Sequence, residues 1–466
     1  MDSPYSALRQ RADIILITSG VFASVVGNTM LQLASPQLVD AFGVSYQGLQ
    51  WRSLLFWTAL GASMPLFGRL TERWTAKRQL LCGLAVFCVS IVVATATDQW
   101  WCFLLGGLLQ GAADGMVMAA QTVIIKHRFP ESRIGWAFGW QSGVLASASL
   151  VGPVAGGILL EHMSWRALLW CFLGIGVIAA AAVALALPAT PPPDRDRAGR
   201  LPLRATLGLT TALVAAQALV LVHSWVRWPL LALVAVAGWQ FARAERTAPA
   251  DSRYIPPMVR GNRDFLLAAL RGLLVYFPIN AVGVFFPVYL EVVGHWSTSK
   301  TGAVLLFDAV ITTLLGGPCG RFADARPRAA IRTGFFLLAC GGLAFAVSGT
   351  DTVRVVVSLA LIDIGACMTI PAQSKVALAA SPEHETGVYM ALFQGAQFIS
   401  IGASGVVFSP FIQGSTRTSF SGSGFAGLCL AATALFLVGA ALTLGRRSGL
   451  PAAAPRTPRL NTPGGN

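Results

Sequence analysis

Residues 68–78 read Gly68-Arg-Leu-Thr-Glu-Arg-Trp-Thr-Ala-Lys-Arg78, a short charged stretch between two apolar runs, hereafter the charged turn. A second copy, Gly320-Arg-Phe-Ala-Asp-Ala-Arg-Pro-Arg328, begins 252 positions later. Both copies place Gly-Arg at the end of an apolar run and an acid four residues after the glycine. The glycine permits close packing, and the acid can bind an arginine or a helix N-terminus, so such a turn can hold two membrane helices together.

The composition is that of a membrane protein. Of the 466 residues, 55% are hydrophobic and 12% are charged, whereas soluble domains have about 25% charged residues. Apolar runs of about 20 residues fill most of the chain, which is typical of polytopic α-helical membrane proteins. The net charge of +14 does not indicate nucleic-acid binding, because the basic residues lie in short loops between apolar runs. The eight cysteines show no C-x-x-C spacing and are interpreted as packing residues.

The apolar runs predict fourteen membrane-spanning helices. The first run, Ile14 to Ala34, lacks a clean cleavage pattern and is interpreted as a retained helix rather than a signal peptide. The predicted spans are 13–35, 51–68, 79–97, 101–125, 136–160, 165–187, 205–223, 226–243, 264–290, 300–319, 330–348, 353–378, 386–412 and 423–445.

The distribution of Lys and Arg predicts that both termini are cytoplasmic. With the N-terminus inside, the cytoplasmic segments contain 27 of these residues, and Arg271 lies within a span. We therefore expect a multi-pass protein of the cell membrane, inner or plasma. The outer segments contain only Arg52, Arg166, Arg227, Lys300, Arg354 and Arg417.

Two further matches at the offset of 252 predict two homologous halves. The segment around Glu131, Phe-Pro-Glu-Ser-Arg-Ile-Gly, matches Ser-Pro-Glu-His-Glu-Thr-Gly around Glu383. The segment Gly-Met-Val-Met-Ala-Ala-Gln121 matches Cys-Met-Thr-Ile-Pro-Ala-Gln373. Parallel halves of this kind form transporters whose substrate cavity lies between them near the membrane midplane.

The repeat and the loops predict four regions. An N-terminal six-helix bundle covers 1–190, and a linker with an inserted helix pair covers 191–250. A C-terminal six-helix bundle covers 251–447, and a disordered cytoplasmic tail covers 448–466.

The fifth predicted span has small residues at helical spacing. Small side chains on one face let two helices approach closely in lipid, and a Gly-Pro pair permits a bend. The pattern predicts a close-packed, kinkable helix at a moving interface. Its members are Gly139, Ala148, Gly152, Pro153, Gly156 and Gly157.

With these motifs the chain resembles the major facilitator superfamily, and within it the fourteen-helix drug:proton antiporter branch. The charged turn is similar to the superfamily's motif A, and the fifth span is similar to the antiporter motif C, with Ala148 where that pattern has glycine. The segment from Ile255 to Phe265 resembles the branch's loop before helix 9. The resemblance implies an all-α membrane protein with two pseudo-symmetric six-helix bundles plus an inserted helix pair. It also implies a gating role for the motif A residues Gly68, Arg69, Glu72, Arg73, Arg78, Gly320, Arg321 and Asp324.

Two positions depart from the branch's pattern. The aspartate of helix 1 is Gly27 here, and the arginine that stands three residues before Gln110 in helix 4 is Gly107. In the family this Asp and Arg are tied to proton coupling. Their absence favours a proton symporter or a uniporter as the alternative to an antiporter, whereas motif C favours antiport.

Three carboxylates lie near the middle of predicted spans: Asp114, Asp308 and Asp363. An ionisable residue at the bilayer centre costs about 2.5–3.5 kcal/mol on insertion scales, so such residues are usually functional. Burial and neighbouring charges can let a membrane carboxylate take or release a proton near neutral pH. We hypothesise that Asp114 and Asp363 face the central cavity and carry the proton or a cationic substrate. The alternative is a structural pair or a hydrogen-bonded packing residue.

Further polar residues are candidates for the same site. Arg271 lies roughly 10 Å into helix 9 by helical rise; it either snorkels to the cytoplasm or pairs with a buried carboxylate. No phosphate loop is present, so ATP drive is not supported. The predicted substrate- and proton-binding set is Asp114, Asp363, Asp308, Gln110, Gln121, Gln141, Gln394, Gln397, Asn28, Gln32 and Arg271.

The leading prediction is a secondary transporter that exports a small amphipathic or hydrophobic compound, drug-like or a metabolite, by proton antiport and alternating access. The alternatives are a proton symporter or uniporter of a small metabolite, or a non-transporting sensor with the same fold. A membrane enzyme would need a clustered nucleophile or metal set, which the sequence lacks, so we predict no enzyme, no cofactor and no metal. The expected partners are the lipid bilayer, a small-molecule substrate and a proton, without nucleic acid, and the expected state is a monomer.

Overall fold

The described part of the chain consists of α-helices joined by short turns. The computed structural model describes residues 4–44, 46–128, 163–188, 201–222, 225–249, 252–382, 386–412 and 422–444, with scattered positions between 144 and 160. The helices of this part are α1 Pro4–Leu33, α2 Ser35–Phe42, α3 Tyr46–Leu70, α4 Ala76–Thr95, α5 Trp100–Arg128, α6 Trp165–Ala186, α7 Leu203–Leu221, α8 Arg227–Thr247, α9 Pro257–Gly261, α10 Arg263–Val292, α11 Thr298–Ala325, α12 Pro327–Ser348, α13 Thr352–Ala379, α14 Thr386–Ile412 and α15 Gly422–Ala441.

Several helices begin at a side-chain cap. Thr75 accepts a hydrogen bond from the backbone N–H of Arg78 at the start of α4. Asn262 accepts one from the N–H of Phe265, at 3.0 Å, at the start of α10. Such caps satisfy first-turn N–H groups that have no partner within the helix, so they define where each helix starts.

The described helices follow the predicted spans. Ten of them, α4 to α7 and α10 to α15, are long and apolar enough to cross a membrane, and α1 contains the shorter apolar segment Ile15–Asn28. Helices α3 and α8 cover the second and eighth predicted spans. The fifth predicted span, 136–160, falls mostly outside the described residues. The count of fourteen spans therefore stays a prediction.

Equivalent helix pairs pack together in the two halves. In the first half, α5 packs against α3 and α4, and α6 packs against α1 and α4. In the second half, α13 packs against α11 and α12, and α15 packs against α10 and α12. Helices α3 and α5 begin at residues 46 and 100, and α11 and α13 begin at 298 and 352, each 252 positions later. The sequence repeat is thus a repeat of structure.

In each half, a basic side chain joins the ends of the same two helices. Lys77, near the start of α4, donates to the carbonyl oxygens of Ala184 at 2.8 Å and Leu187 at 2.5 Å, at the end of α6. Arg332, near the start of α12, donates to the carbonyl of Thr443, just after α15, at 3.0 Å. A cation at a helix C-terminus is favoured by the unpaired carbonyls there. We call the end of the molecule that carries these contacts the turn side.

The two halves meet along α3 and α14. The backbones of Gly61 and Gly395 touch, since a Cβ atom on either residue would lie 2.5 Å from the other's carbonyl oxygen. Towards the turn side, a Cβ on Gly68 would lie 3.4 Å from Cβ of Ala391. Small residues allow this close helix packing in a membrane, so α3 and α14 form the main described contact between the halves.

The inserted helices α7 and α8 pack against each other and lie beside α3. The amide of Gln217 on α7 donates to the hydroxyl of Thr58 on α3 at 3.1 Å. Most of α8 is exposed in the isolated chain; Trp228 is 76% and Trp239 58% exposed, as expected for side chains that face lipid. The exact boundaries between the halves and the insert remain predictions.

Candidate functional site

Asp114 lies at the middle of α5 and is 6% exposed. The hydroxyl of Ser24 on α1 donates a hydrogen bond to Oδ2 of Asp114. A buried carboxylate needs such a donor, because an unsatisfied charge in an apolar surrounding is strongly unfavourable. The contact ties the predicted acid to the α1–α5 interface.

The cation beside this acid is Arg52, which was counted with the outer segments because it lies at the end of the predicted span 51–68. Helix α3 begins at Tyr46, so Arg52 lies inside the helix, and it is 8% exposed. Its Nη2 donates to Oε1 of Gln110 at 2.7 Å, and its Nη1 donates to Oδ1 of Asn28 at 3.5 Å. Two predicted site residues, Gln110 and Asn28, therefore bind a residue that the prediction missed.

The space for Arg52 comes from a glycine on α5. A Cβ atom on Gly107 would lie 2.9 Å from Cγ of Arg52, so a larger residue at 107 would displace that side chain. The guanidinium lies 5.2 Å from the ring centroid of Phe103, within range of a cation–π interaction. A cation therefore stands beside residue 107 although residue 107 is a glycine. The sequence contained a signal for this contact: an arginine near the start of one apolar run, and Gly107 where the family's pattern has an arginine.

The charges of Arg52 and Asp114 act on each other across the α3–α5 contact. Each also has a neutral polar partner, Ser24 for the acid and two amides for the guanidinium. Arginine stays charged at physiological pH. Asp114 is therefore the member of this pair that can change its charge.

The two acids of the second half form a pair with each other. The carboxyl groups of Asp308 on α11 and Asp363 on α13 lie close enough to interact electrostatically. Within the described part of the chain, Oδ2 of Asp363 is buried and has no hydrogen-bond partner. Asp114 and Asp363 thus have different partners in separate halves of the molecule.

The predicted glutamines have different surroundings. Gln121 is fully buried on α5, and its amide donates to the carbonyl of Ile17 on α1 at 2.6 Å, which is a packing contact. On α14, Gln394 is half-buried. The Nε2 atom of Gln397 would lie 2.9 Å from a Cβ at Gly272, so this amide lies against α10.

Some predicted residues fall outside the described part of the chain. Gln141, Gly139, Pro153 and Gly157 lie outside it, and so do the side chains of Gln32 and Asp324. The motif C residues Gly152 and Gly156 are described and are buried in helical backbone.

Arg271 is fully buried on α10. Its Nε donates to the carbonyl of Leu267, one turn earlier in the same helix, at 3.1 Å. The charge of Asp264, at the start of α10, acts on it. The side chain is thus turned towards the start of its own helix and yet stays buried.

The two copies of the charged turn differ. In the first copy, residues 71–75 separate α3 from α4, and Arg69 is 6% exposed with its Nη2 2.5 Å from the carbonyl oxygen of Arg253. Glu72 and Arg73 are half-buried, and the guanidinium of Arg78 lies 4.7 Å from the ring centroid of Trp74.

In the second copy, α11 continues to Ala325 and α12 begins at Pro327. Gly320 and Arg321 are therefore helical, and Arg321 is exposed. A turn that contacts the other half is thus seen in the first copy, whereas the described second copy is the end of a helix.

Two repeats of membrane helices, with ionisable side chains on equivalent helices of each repeat, define a multi-pass membrane transporter. The chain belongs to the major facilitator superfamily, because the family model described as Major Facilitator Superfamily matches residues 17–405. The all-helical major facilitator fold is thereby confirmed, and the count of fourteen helices stays a prediction.

Similar proteins include transporters of different named cargo. The riboflavin transporter RibZ of Clostridioides difficile (strain 630) is 23% identical over 355 residues, which cover 76% of this chain and 77% of RibZ. The multidrug transporter protein MdtP of Bacillus subtilis (strain 168) is 22% identical over 397 residues, covering 82% of this chain and 72% of MdtP. The crystal structure of the human organic anion transporter MFSD10 (TETRAN) matches with a TM-score of 0.62 and 15% identity, over 93% of this chain and 100% of that one. At this identity the structural match shows a shared fold alone.

Proposed function

We propose that the protein is a secondary transporter that exports a small amphipathic or hydrophobic compound, drug-like or a metabolite, across the cell membrane. We further propose that it works by proton antiport and alternating access, as a monomer with both termini in the cytoplasm. The observation that carries the proposal is the buried Asp114 between the Ser24 hydroxyl and the fixed charge of Arg52. The similarity to the multidrug transporter protein MdtP supports the class of compound.

The charge arrangement favours exchange of a proton for a substrate. With Asp114 ionised, the pair of Asp114 and Arg52 is neutral and offers a carboxylate to a cationic or polar compound. Protonation of Asp114 removes that carboxylate and leaves the positive charge of Arg52, so a cationic compound is released. Proton and substrate then compete for one carboxylate, which is the requirement for antiport.

The acid pair of the second half is proposed as a second proton site. Two carboxyl groups in contact within an apolar span are accommodated when they share one proton. Asp308 and Asp363 are such neighbours, and they lie on helices equivalent to those that hold Arg52 and Asp114. We therefore assign proton binding to both halves.

Contacts between loops support the proposed orientation. Asp98 and Arg166 form an ion pair, and both lie in segments predicted to be outer. Lys77 reaches the carbonyls of Ala184 and Leu187, and all three lie at predicted cytoplasmic ends. Residues assigned to the same side are thus in contact with each other, which supports the proposed grouping of the loops into two sides.

The test is flux in proteoliposomes with an imposed pH gradient, using ethidium as a lipophilic cation and riboflavin as a second probe. Antiport predicts that the probe accumulates in vesicles with an acidic interior. We expect Asp114→Asn to abolish the dependence on the gradient and Asp363→Asn to reduce it, while the surface variant Asp40→Asn behaves as wild type. Wild-type rates and wild-type pH dependence in both intramembrane variants would contradict the proposal.

Proton symport is the second candidate, and Arg52 favours it, because an intramembrane cation whose hydrogen bonds go to neutral amides can attract an anionic compound. The similarity to the riboflavin transporter RibZ is compatible with it. In the same assay, symport predicts that the probe accumulates when the interior is alkaline. The direction of the gradient that drives uptake separates the two candidates.

A further inference from the structure

The segment between α8 and α10, residues 252–262, is held by a buried acid. Glu245, near the end of α8, is 3% exposed. Its two carboxylate oxygens accept hydrogen bonds from the backbone N–H groups of Tyr254 at 3.0 Å and Ile255 at 2.9 Å. Hydrogen bonds to an ionised carboxylate are roughly twice as strong as neutral ones, so this attachment to the inserted pair is firm.

The same segment is bonded to α3. The phenol of Tyr254 donates to the carbonyl oxygen of Ala62 at 3.0 Å, and Nη2 of Arg69 donates to the carbonyl oxygen of Arg253 at 2.5 Å. Tyr254 is 4% exposed, and its ring meets that of Phe241 edge-on, with centroids 5.8 Å apart. Burial, and secondarily Glu245, raises the pKa of Tyr254, so the phenol keeps its proton and remains a donor.

The segment is also bonded to the second half. Val259 is 4% exposed and belongs to the hydrophobic core formed by α10 to α15, and Ile255 packs against that core. The amide of Asn262 donates to the carbonyl of Ala380, just after α13, at 2.6 Å. Residues 252–262 therefore join three parts of the molecule: the inserted pair, α3 of the first half and α13 of the second.

We propose that residues 252–262 are a latch that closes the transport pathway on the turn side, with Tyr254 and Arg69 making the bonds that break on opening. The inference rests on the proposed function, since a latch matters when the two halves rock against each other. Opening on this side moves α3 away from α13, and the latch cannot stay bonded to both.

The attachment to α3 differs from the other two. It includes two hydrogen bonds from separate side chains to backbone carbonyls, and one of the donors is the neutral phenol of Tyr254. The attachment to Glu245 has two charge-assisted bonds, and the attachment to the second half includes apolar packing. The latch therefore leaves α3 and stays with α13 and the inserted pair.

The test is a distance measurement across the turn side. Ala186 at the end of α6 and Ala379 at the end of α13 are exposed; both are changed to cysteine and spin-labelled in a background whose eight native cysteines are replaced. The distance distribution is recorded in lipid nanodiscs without added substrate. Tyr254→Phe removes the donor and keeps the ring against Phe241. The matched control is Tyr289→Phe, whose ring stacks on Phe425 at 4.3 Å elsewhere in the second half.

We expect Tyr254→Phe to raise the ratio of long to short distances about 2- to 12-fold, the effect of one lost hydrogen bond. Glu245→Gln should match the labelled parent, because the bonds of Glu245 to the N–H groups of Tyr254 and Ile255 are kept when the latch leaves α3. Tyr289→Phe should also match the labelled parent. The latch is wrong if Tyr254→Phe matches the parent.

Transport of ethidium and riboflavin by the same variants keeps the two proposals separate. A shifted distance distribution in a protein that moves neither probe overturns the proposed function and supports the latch. An unchanged distribution in a protein that transports a probe overturns the latch and supports the proposed function.

Discussion

Each half has an intramembrane acid on an equivalent helix. The partner of that acid is a cation in the first half and a second acid in the second half. Asp114 on α5 has Arg52 on α3, whereas Asp363 on α13 has Asp308 on α11. The helices correspond, since α3 packs on α5 as α11 packs on α13. The repeat thus determines which helices meet, but it does not determine the sign of the charges at their contact.

The difference changes what each acid does for stability. Asp114 compensates a buried cation, so the first half needs it charged. Asp308 and Asp363 repel each other when both are ionised, so the second half needs one of them neutral. Variants that alter one charge at a time should therefore act in opposite directions in the two halves.

The largest effect is expected from Arg52→Met, which leaves Asp114 without its cation. Removing one member of a buried pair costs about 3–5 kcal/mol of unfolding free energy. Protonation of Asp114 relieves the loss, so the destabilisation should grow as the pH rises. Thermal unfolding in detergent measures it, with the exposed Arg260→Met as control. The double variant Arg52→Met/Asp114→Asn should recover most of the stability; if it does not, the two charges are not coupled.

The second prediction compares a glycine at a tight helix contact with a glycine at an open position. A Cβ on Gly111 of α5 would collide with the carbonyl oxygen of Phe56 on α3, whereas Gly316 of α11 has no atom within 4 Å of its Cβ position in the described part of the chain. Overpacking costs about 1–3 kcal/mol. Gly111→Ala should therefore lower the unfolding temperature and Gly316→Ala should not. Equal effects would show that the close approach of α5 to α3 at Gly111 does not limit stability.

Much of the fold was predictable from the sequence, because apolar runs and a fixed repeat offset determine helices and their order. The match of α3, α5, α11 and α13 to the offset of 252 is the clearest outcome. The site was less predictable. Arg52 was counted with the outer segments because the apolar run starts at residue 51, whereas the polar residues before it continue the helix back to Tyr46.

The Asp308–Asp363 contact was missed for a different reason. Both acids were identified, but periodicity along one helix does not specify which face meets a second helix. Only the packing of α11 on α13 brings the two carboxyl groups together. Side-chain contacts between distant segments could therefore be identified only from the structure.

The third prediction concerns the direction of a charge effect. Asp363→Asn removes one of two repelling acids and should raise the unfolding free energy by about 1 kcal/mol, near the low end of the penalty for a buried unsatisfied polar group. Asp114→Asn should lower stability, because it leaves Arg52 uncompensated. Chemical or thermal unfolding at neutral pH measures both. Destabilisation of similar size in the two variants would mean that the acids play the same structural part in both halves.

The smallest effect is expected from Asp98→Asn, which breaks an ion pair at the surface between the same residue types as Asp114 and Arg52. Asp98 is 83% exposed and Arg166 37% exposed, and exposed pairs contribute about 0–1 kcal/mol. Water and salt screen them, so high salt should remove what remains of the effect, whereas it should leave the loss in Arg52→Met unchanged. This variant tests whether the large effect expected for Arg52→Met comes from burial or from the loss of one of two opposite charges. If Asp98→Asn lowers the unfolding temperature as much as Arg52→Met does, the burial of Arg52 in the membrane adds nothing to the effect of removing one of two opposite charges.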